Sequence, residues 1–289
     1  MFFQQLINGL MLGATYSLVA IGYTLIFGIL NLLHFGHGEV FMIGAFIGLQ
    51  MVLLTKCHIV VAILGSMLGG ALLGLIIERV SFRPIKKEYH LAPLISTIGV
   101  SIILQEIGTK IFGGDIVGFP KTIRLVIYKM GPVQVTSVHL FILGIALMLM
   151  IIIHLFIHRT KVGIAMRVTA ENATNASLMG INTNRIVSMT FMISSALAGA
   201  GGVLVGLVYN AISPFMGTEI ILKGFTIMLL GGLGNVMGAM IAGIILGLVE
   251  VFSVAYLASS YKDAFAFGIM ILILITRPTG LFGTRLHEE

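Results

Sequence analysis

Charge is what this 289-residue chain has least of, with Asp, Glu, Lys and Arg making up 10% of it. Soluble domains carry roughly 25%. So few charged groups cannot cover a water-exposed globule, and a hydrophobic share of 58% with a mean hydropathy of +1.09 points the same way. Cys57 is the only cysteine, which excludes an intrachain disulfide. No thiol motif surrounds it, so it reads as a small hydrophobe near a helix end. The phosphate-binding pattern G-x-x-x-x-G-K-[ST] is also missing, since no lysine directly follows a glycine. Any ATP used must be hydrolysed by another chain. Neither G-x-S-x-G nor H-E-x-x-H occurs, so no enzyme reading has support. The apolar runs lack the period-two alternation of a membrane barrel. The first residues, MFFQQLINGL, lack the basic region of a signal peptide and lead into a run too long for a signal core, so a retained helix is expected.

What is present is a series of apolar runs, several near or above the roughly 18–20 residues that cross a bilayer. The expected fold class is all-α, a polytopic membrane bundle of about nine spans (eight to ten) forming a single domain over 1–289. The spans are Leu6–Leu33, Val40–Leu54, Ile59–Ile77, Leu91–Phe112, Leu140–Ile157, Ile186–Val208, Ile220–Leu233, Val236–Leu257 and Ala264–Thr276. The second and seventh are short enough to be half-helices or re-entrant segments. All six prolines fall at boundaries or in connections, which supports the list because an interior proline costs roughly 3 kcal/mol. The connection 113–137 is long and polar, and its middle, Lys121–Tyr128, reads as a short strand or a surface helix.

The net charge of +6 is explained by topology rather than by nucleic acid. One set of connections holds Arg79, Arg83, Lys86, Lys87, Arg159, Lys161, Arg167, Arg185, Arg277 and Arg285. The other holds Lys56, Lys110, Lys121, Arg124, Lys129, Lys223 and Lys262. The larger set is expected on the cytoplasmic side. Glycine, 36 of 289 residues, exceeds the roughly 7% average and often recurs at a spacing of four, as in Gly9/Gly13, Gly44/Gly48, Gly70/Gly74 and Gly243/Gly247. Small residues one turn apart let helix backbones approach closely in lipid.

His34-x-x-His37-x-Glu39 has a superficial metal-site spacing, but Gly36 and Gly38 break any helix there and no third cluster completes a ligand set. The better reading is a break between two helices, with Glu39 in the first turn of the second. Such breaks line substrate paths in some transporters and are plain turns in others. Gln105 and Glu106 in the fourth span and Glu250 in the eighth are polar groups at membrane depth, where function and a hydrogen-bonded structural role weigh about evenly. His37, Glu39, Gln105 and Glu250 are therefore the candidates for a translocation path or gate.

The segment His158–Arg185 is the longest stretch of the second half that could not sit in lipid. It carries a small-residue helix, Glu171–Gly180; Ala170, just before it, and Ala173, Ala176 and Ser177 within it permit close approach, and Gly180 provides a left-handed cap. It reads as a cytoplasmic handle gripped by a separate motor protein.

The residues Asn8–Thr24, His37-Gly-Glu39 with Met42-Ile-Gly44, Ile77-Glu-Arg79 with Arg83-Pro84, and Leu94-Ile-Ser96 with Ile98-Gly99 resemble the branched-chain amino acid ABC importer permeases of the LivH type. So do Ala170-Glu-Asn172, Met179-Gly-Ile-Asn182, Leu230-Gly-Gly-Leu-Gly234, Gly238-Ala239 and Arg277-Pro-Thr-Gly280. The resemblance runs nearly end to end. It implies a type II importer-like fold in a bacterial inner membrane and a LivM-type permease partner. It further implies two cytoplasmic ATPase subunits that bind ATP and Mg, so that this chain needs no cofactor of its own. A periplasmic binding protein would deliver leucine, isoleucine or valine. The ATPase-coupling role falls on Glu171, Asn172, Ala173, Met179, Gly180, Ile181 and Asn182. His34 and Gly36 stand where the family usually has Asn and Ala, and Glu106 stands where Asn is common, so substrate choice could differ. Close relatives handle urea and short amides. A carrier coupled to ions through Glu106 and Glu250 is a second, different class.

Overall fold

The computed structural model describes residues 1–85, 91–120, 122–130 and 133–283. Lys86, Lys87, Lys121 and Arg285, counted above for sidedness, lie outside the described residues. Among the described residues eleven α-helices follow one another: α1 Phe2–Leu30, α2 His37–Thr55, α3 Ile59–Ile77, α4 Ala92–Phe112, α5 Ser137–Arg159, α6 Lys161–Glu171, α7 Ala173–Leu178, α8 Thr183–Tyr209, α9 Met216–Gly231, α10 Val236–Tyr256 and α11 Lys262–Thr276. Eight of the segments are long and apolar enough to cross a membrane. With the shorter α9 they account for the nine expected runs.

The second run is a full helix of 19 residues rather than a half-helix. By contrast α9 has 16 residues, roughly 24 Å at 1.5 Å per residue and short of a hydrocarbon core of about 30 Å. The connection after α3 begins later than expected. A turn of π-helix, Glu78–Phe82, continues α3, and buried Glu78 there pairs with Arg83 at 3.3 Å and accepts from Ser188 at 3.0 Å. The long polar connection contains a hairpin, β1 Ile127–Met130 and β2 Val133–Thr136, with Ile127 opposite Thr136 and Met130 opposite Val133. The expected strand is real but lies mostly C-terminal to Lys121–Tyr128.

Glycine decides how the central helices cross. In the α1–α10 pair, which runs antiparallel, a Cβ on Gly13 would lie 2.6 Å from the Ile244 Cα, and Gly247 seats directly on Gly13. Ser17 Oγ crosses the same seam to the Met240 carbonyl at 2.8 Å. On α8, Gly199 meets both Ser66 of α3 and Gly44 of α2. Ser66 Oγ donates across to the Gly199 carbonyl at 2.9 Å. Backbone-to-backbone packing of this kind supplies dispersion and hydrogen bonding where lipid offers no hydrophobic drive. These seams leave α1, α2 and α8 most buried and α4 and α11 most exposed.

Two faces result. On one, the Gln134 amide of β2 donates to Gln4 Oε1 near the start of α1 at 2.8 Å. There Val117 and Ile212 also exchange both backbone hydrogen bonds at 2.8 Å, tying the long connection to the α8–α9 turn. This is the hairpin face. The opposite handle face gathers the end of α1, helices α6 and α7, the α9–α10 turn and the tail. The tail returns to the bundle, with the Leu281 amide on the Leu230 carbonyl at 2.8 Å and Asn235 Nδ2 on the Phe282 carbonyl at 2.7 Å.

Candidate functional site: a helix break, a buried ion pair and the handle

Three of the four path candidates converge. α1 ends at Leu30 with Asn31 in a left-handed conformation, and the chain re-enters the bundle through His34. α2 starts at His37, so the break ends earlier than the two glycines suggested. Gly38 lies inside the helix, where its missing side chain leaves room for Gly217 and Ile221 of α9. The His37 ring packs edge-on to Tyr23, centroids 4.6 Å apart, and His34 lies between Phe82 and Phe191, each 5.4 Å away. Glu39 is fully buried; Oε1 accepts from Ser101 of α4 at 3.3 Å, and Oε2 has no hydrogen-bond partner among the described residues. One turn further along α4, Gln105 Nε2 donates to Thr218 of α9 at 3.5 Å. The starts of α2 and α9 and the middle of α4 thus form one polar junction. Both ring nitrogens of His34 and of His37 likewise lack partners among the described residues, and buried polar groups left unpaired cost free energy.

Glu250 is not part of that junction. It accepts from Lys223 Nζ of α9 at 2.7 and 2.8 Å through its two oxygens. Lys223 also donates to Tyr16 at 2.9 Å and lies 3.7 Å from Asp263. Lys223, counted above among one side's basic residues although it falls within the run Ile220–Leu233, lies in the bundle, 6% exposed. Neither Lys223 nor Tyr16 was among the expected site residues. The signal was there: a single lysine inside one apolar run and a single glutamate inside another are each costly alone and tolerable together. Glu106, read as a polar group at membrane depth, is exposed on α4.

The handle is two helices rather than one across Glu171–Gly180. Asn172 separates them: it ends α6 after Glu171, and its side chain accepts from the Asn175 amide at 2.9 Å, capping α7. Ala173 is half-buried in the first turn of α7 and Ala176 is fully buried beneath it. Gly180 takes φ 82°, and the Ile181 amide reaches back to the Ala176 carbonyl at 3.0 Å. That is the left-handed termination the sequence required. Asn182 then caps α8 through the Arg185 amide at 3.1 Å. The handle is therefore a tightly capped unit, yet Leu178 and Met179 at its tip are 81% and 74% exposed.

This architecture, an all-α polytopic membrane bundle with a short-helix unit on one face, defines an importer-type permease fold. The chain belongs to the family described as branched-chain amino acid transport system / permease component, whose model matches residues 5–274. Among its relatives is the high-affinity branched-chain amino acid transport system permease protein LivH of Salmonella typhimurium, 38% identical over 98% of this chain and 96% of that protein. BraD of Pseudomonas aeruginosa, named for the same transport system, is 37% identical over the same shares. A probable LivH of Methanocaldococcus jannaschii is 29% identical over 92% of this chain and 88% of its own. In fold alone, the chain is similar to the structure titled PsaBC from Streptococcus pneumoniae in complex with Fab, with a TM-score of 0.52, 13% identity, and coverage of 94% of this chain and 91% of that one.

Proposed function

We propose that this chain is a permease subunit of an ATP-driven importer that carries leucine, isoleucine and valine across a bacterial inner membrane. A periplasmic binding protein delivers the amino acid to the hairpin face. A LivM-type permease completes the membrane part, and two cytoplasmic ATPase subunits bind the handle face. The names of the relatives support the substrate class. The positive-inside bias supports the orientation: Arg83, Arg159, Lys161, Arg167, Arg185 and Arg277 all belong to the handle side.

The observation that carries the reading is the tip of the handle. Leu178 and Met179 stand in the open on a unit rigidified by two asparagine caps and Gly180, on the face where the α1 end and the α9–α10 turn also lie. An exposed apolar pair on a rigid mount suits a cleft in a partner, and a rigid mount passes on movement. Through α8, which follows the handle directly, a push would reach Glu39 and Gln105, the gate candidates at the α2–α4–α9 junction. Coupling of an ion-driven carrier through Glu106 and Glu250 is disfavoured, because Lys223 neutralises Glu250 and Glu106 is exposed.

The test is the double variant Leu178→Asp/Met179→Asp, expressed with all partner subunits. The expected result is at least tenfold less ATPase subunit co-purifying and loss of leucine uptake, with the two permeases still associated. Undiminished co-purification and uptake would overturn the reading.

A further inference from the structure

Between α6 and the bundle lies a cavity of about 330 Å³, at the small end of ligand-binding cavities. The end of α1, the end of α5, helix α6 and the turn into α10 border it. Thr24 to Ile29 belong to the last two turns of α1, and Ile157 and His158 to the last turn of α5. Both helices are long and apolar enough to cross a membrane. The ends of such helices stand where hydrocarbon gives way to headgroups. The cavity therefore lies at the depth of a phospholipid headgroup.

Its lining has two characters. Leu25, Ile29, Ile157, Met166 and Val236 make an apolar wall. Arg167 and His158 are its ionisable groups, and no Asp or Glu borders the space. Glu171 follows Arg167 by one turn, yet among the described residues Arg167 forms no ion pair. Neither do Arg159 and Lys161, which follow His158 in the chain. Unpaired cations just beyond a membrane helix suit an anionic headgroup.

Two further observations point to an anion. Asn235 takes the amides of Gly238 and Ala239, each at 2.9 Å, which leaves those of Val236 and Met237 without a partner inside the helix. Both residues line the cavity, at the positive end of the 21-residue α10. Thr24, also in the lining, has a buried hydroxyl without a partner among the described residues. A zwitterion would find no carboxylate here for its ammonium. A bare phosphate would leave the apolar wall uncovered, whereas a phosphate that carries a hydrocarbon chain satisfies both parts of the lining. The volume suits the phosphate and the first carbons of one chain, with the rest of the lipid outside.

We propose that this cavity binds the headgroup end of an anionic phospholipid from the leaflet on the handle side, its phosphate held by Arg167 and the start of α10. The bound lipid joins α6 to the ends of α1 and α5 and so steadies the mount of the handle. The inference needs the chain to span a membrane and does not depend on what it transports.

The test is native mass spectrometry of the delipidated importer with all its subunits. The probes are dioleoylphosphatidylglycerol, dioleoylphosphatidylcholine and glycerol phosphate, which has no chains. Phosphatidylglycerol should bind at least fivefold more tightly than phosphatidylcholine, the scale of one basic group near an anionic headgroup. Glycerol phosphate should bind at least tenfold more weakly than phosphatidylglycerol. Arg167→Met should bring phosphatidylglycerol down to the level of phosphatidylcholine. Met237→Glu puts a carboxylate into the lining where the α10 dipole favours one, so the fold should hold. It should weaken phosphatidylglycerol at least fivefold, and it decides the matter if Arg167→Met does not assemble. In nanodiscs, amide exchange along α6 should slow at least twofold when phosphatidylglycerol replaces phosphatidylcholine, but not in Arg167→Met. Equal binding of the two lipids, or phosphatidylglycerol binding indifferent to both substitutions, overturns the proposal. So does glycerol phosphate binding as tightly as the lipid, which would mark a site for a free anion. Lipid binding that appears only once the ATPase subunits are removed overturns it too, and assigns the cavity to their contact. Unchanged exchange along α6 overturns the link to the handle. Absence of leucine uptake would count against the transport reading alone.

Discussion

Replacing Lys223 by methionine removes one partner of a buried ion pair and keeps most of the side-chain volume. Three contacts go at once: both Glu250 oxygens lose their donor, and the Tyr16 oxygen loses its own. Glu250 is 3% exposed, so its carboxylate is left inside the bundle without its cation. Asp263 lies on the Lys223 side of the pair and adds a second negative charge without a counterion. Stranding one buried charge in this way costs about 3–5 kcal/mol. At roughly 2 °C per kcal/mol for a chain of this size, Lys223→Met should lower the melting temperature of the purified complex by about 6–10 °C. Glu250→Gln should cost less, because the lysine keeps Asp263 and Tyr16 as partners. The double variant Lys223→Met/Glu250→Gln leaves no stranded charge at either position and should recover about 2 kcal/mol or more of the sum of the two singles. Melting followed by fluorescence-detected gel filtration on wild type, both singles and the double gives the complete cycle. If the two losses simply add, to within about 0.5 kcal/mol, the pair is not coupled and the account of the bundle's polar interior fails.

Two further substitutions probe different parts of the bundle. Gly247→Leu puts a side chain where the Gly13 backbone lies, and neither helix can yield without opening the α1–α10 seam. Overpacking alone costs about 1–3 kcal/mol, so yield of the folded complex should fall sharply, and a normal yield would mean the seam is looser than described. Glu39→Gln removes a carboxyl group that has no cation beside it among the described residues while keeping the Ser101 contact. The melting temperature should stay level or rise, since a buried unpaired charge is costly, while leucine uptake drops. A fall in stability of more than about 2 kcal/mol, the scale of breaking a needed hydrogen bond, would show that Glu39 holds the structure and does not serve the path.

The handle was the part most legible in the sequence, because its signals are local. Asparagine and glycine at fixed offsets, set between two apolar runs, dictate caps whatever surrounds them, and Gly180 and Asn182 take the conformations their chemistry favours. Its division at Asn172 was missed because asparagine recurs at 172 and 175 in a run of small residues, and only the backbone decides which of them caps and which lies within the helix. Gly38 was misjudged for the converse reason. Its use is to admit Gly217 and Ile221 from another helix, and nothing in the neighbouring residues announces that approach.

Composition and run length determined that the chain lives in a membrane as helices. The spacing of glycines determined that those helices pack backbone to backbone. Both follow from hydropathy and side-chain size, which each residue carries with it. Only the tertiary structure decided that Glu250 meets Lys223 and not Glu106, that Glu39 keeps a bare oxygen, and that Thr24 and Arg167 border one cavity. Hydropathy makes an intramembrane charge expensive, but which charge answers it depends on how each helix is rotated about its axis. That rotation is set by the sum of many weak contacts with helices distant in the chain.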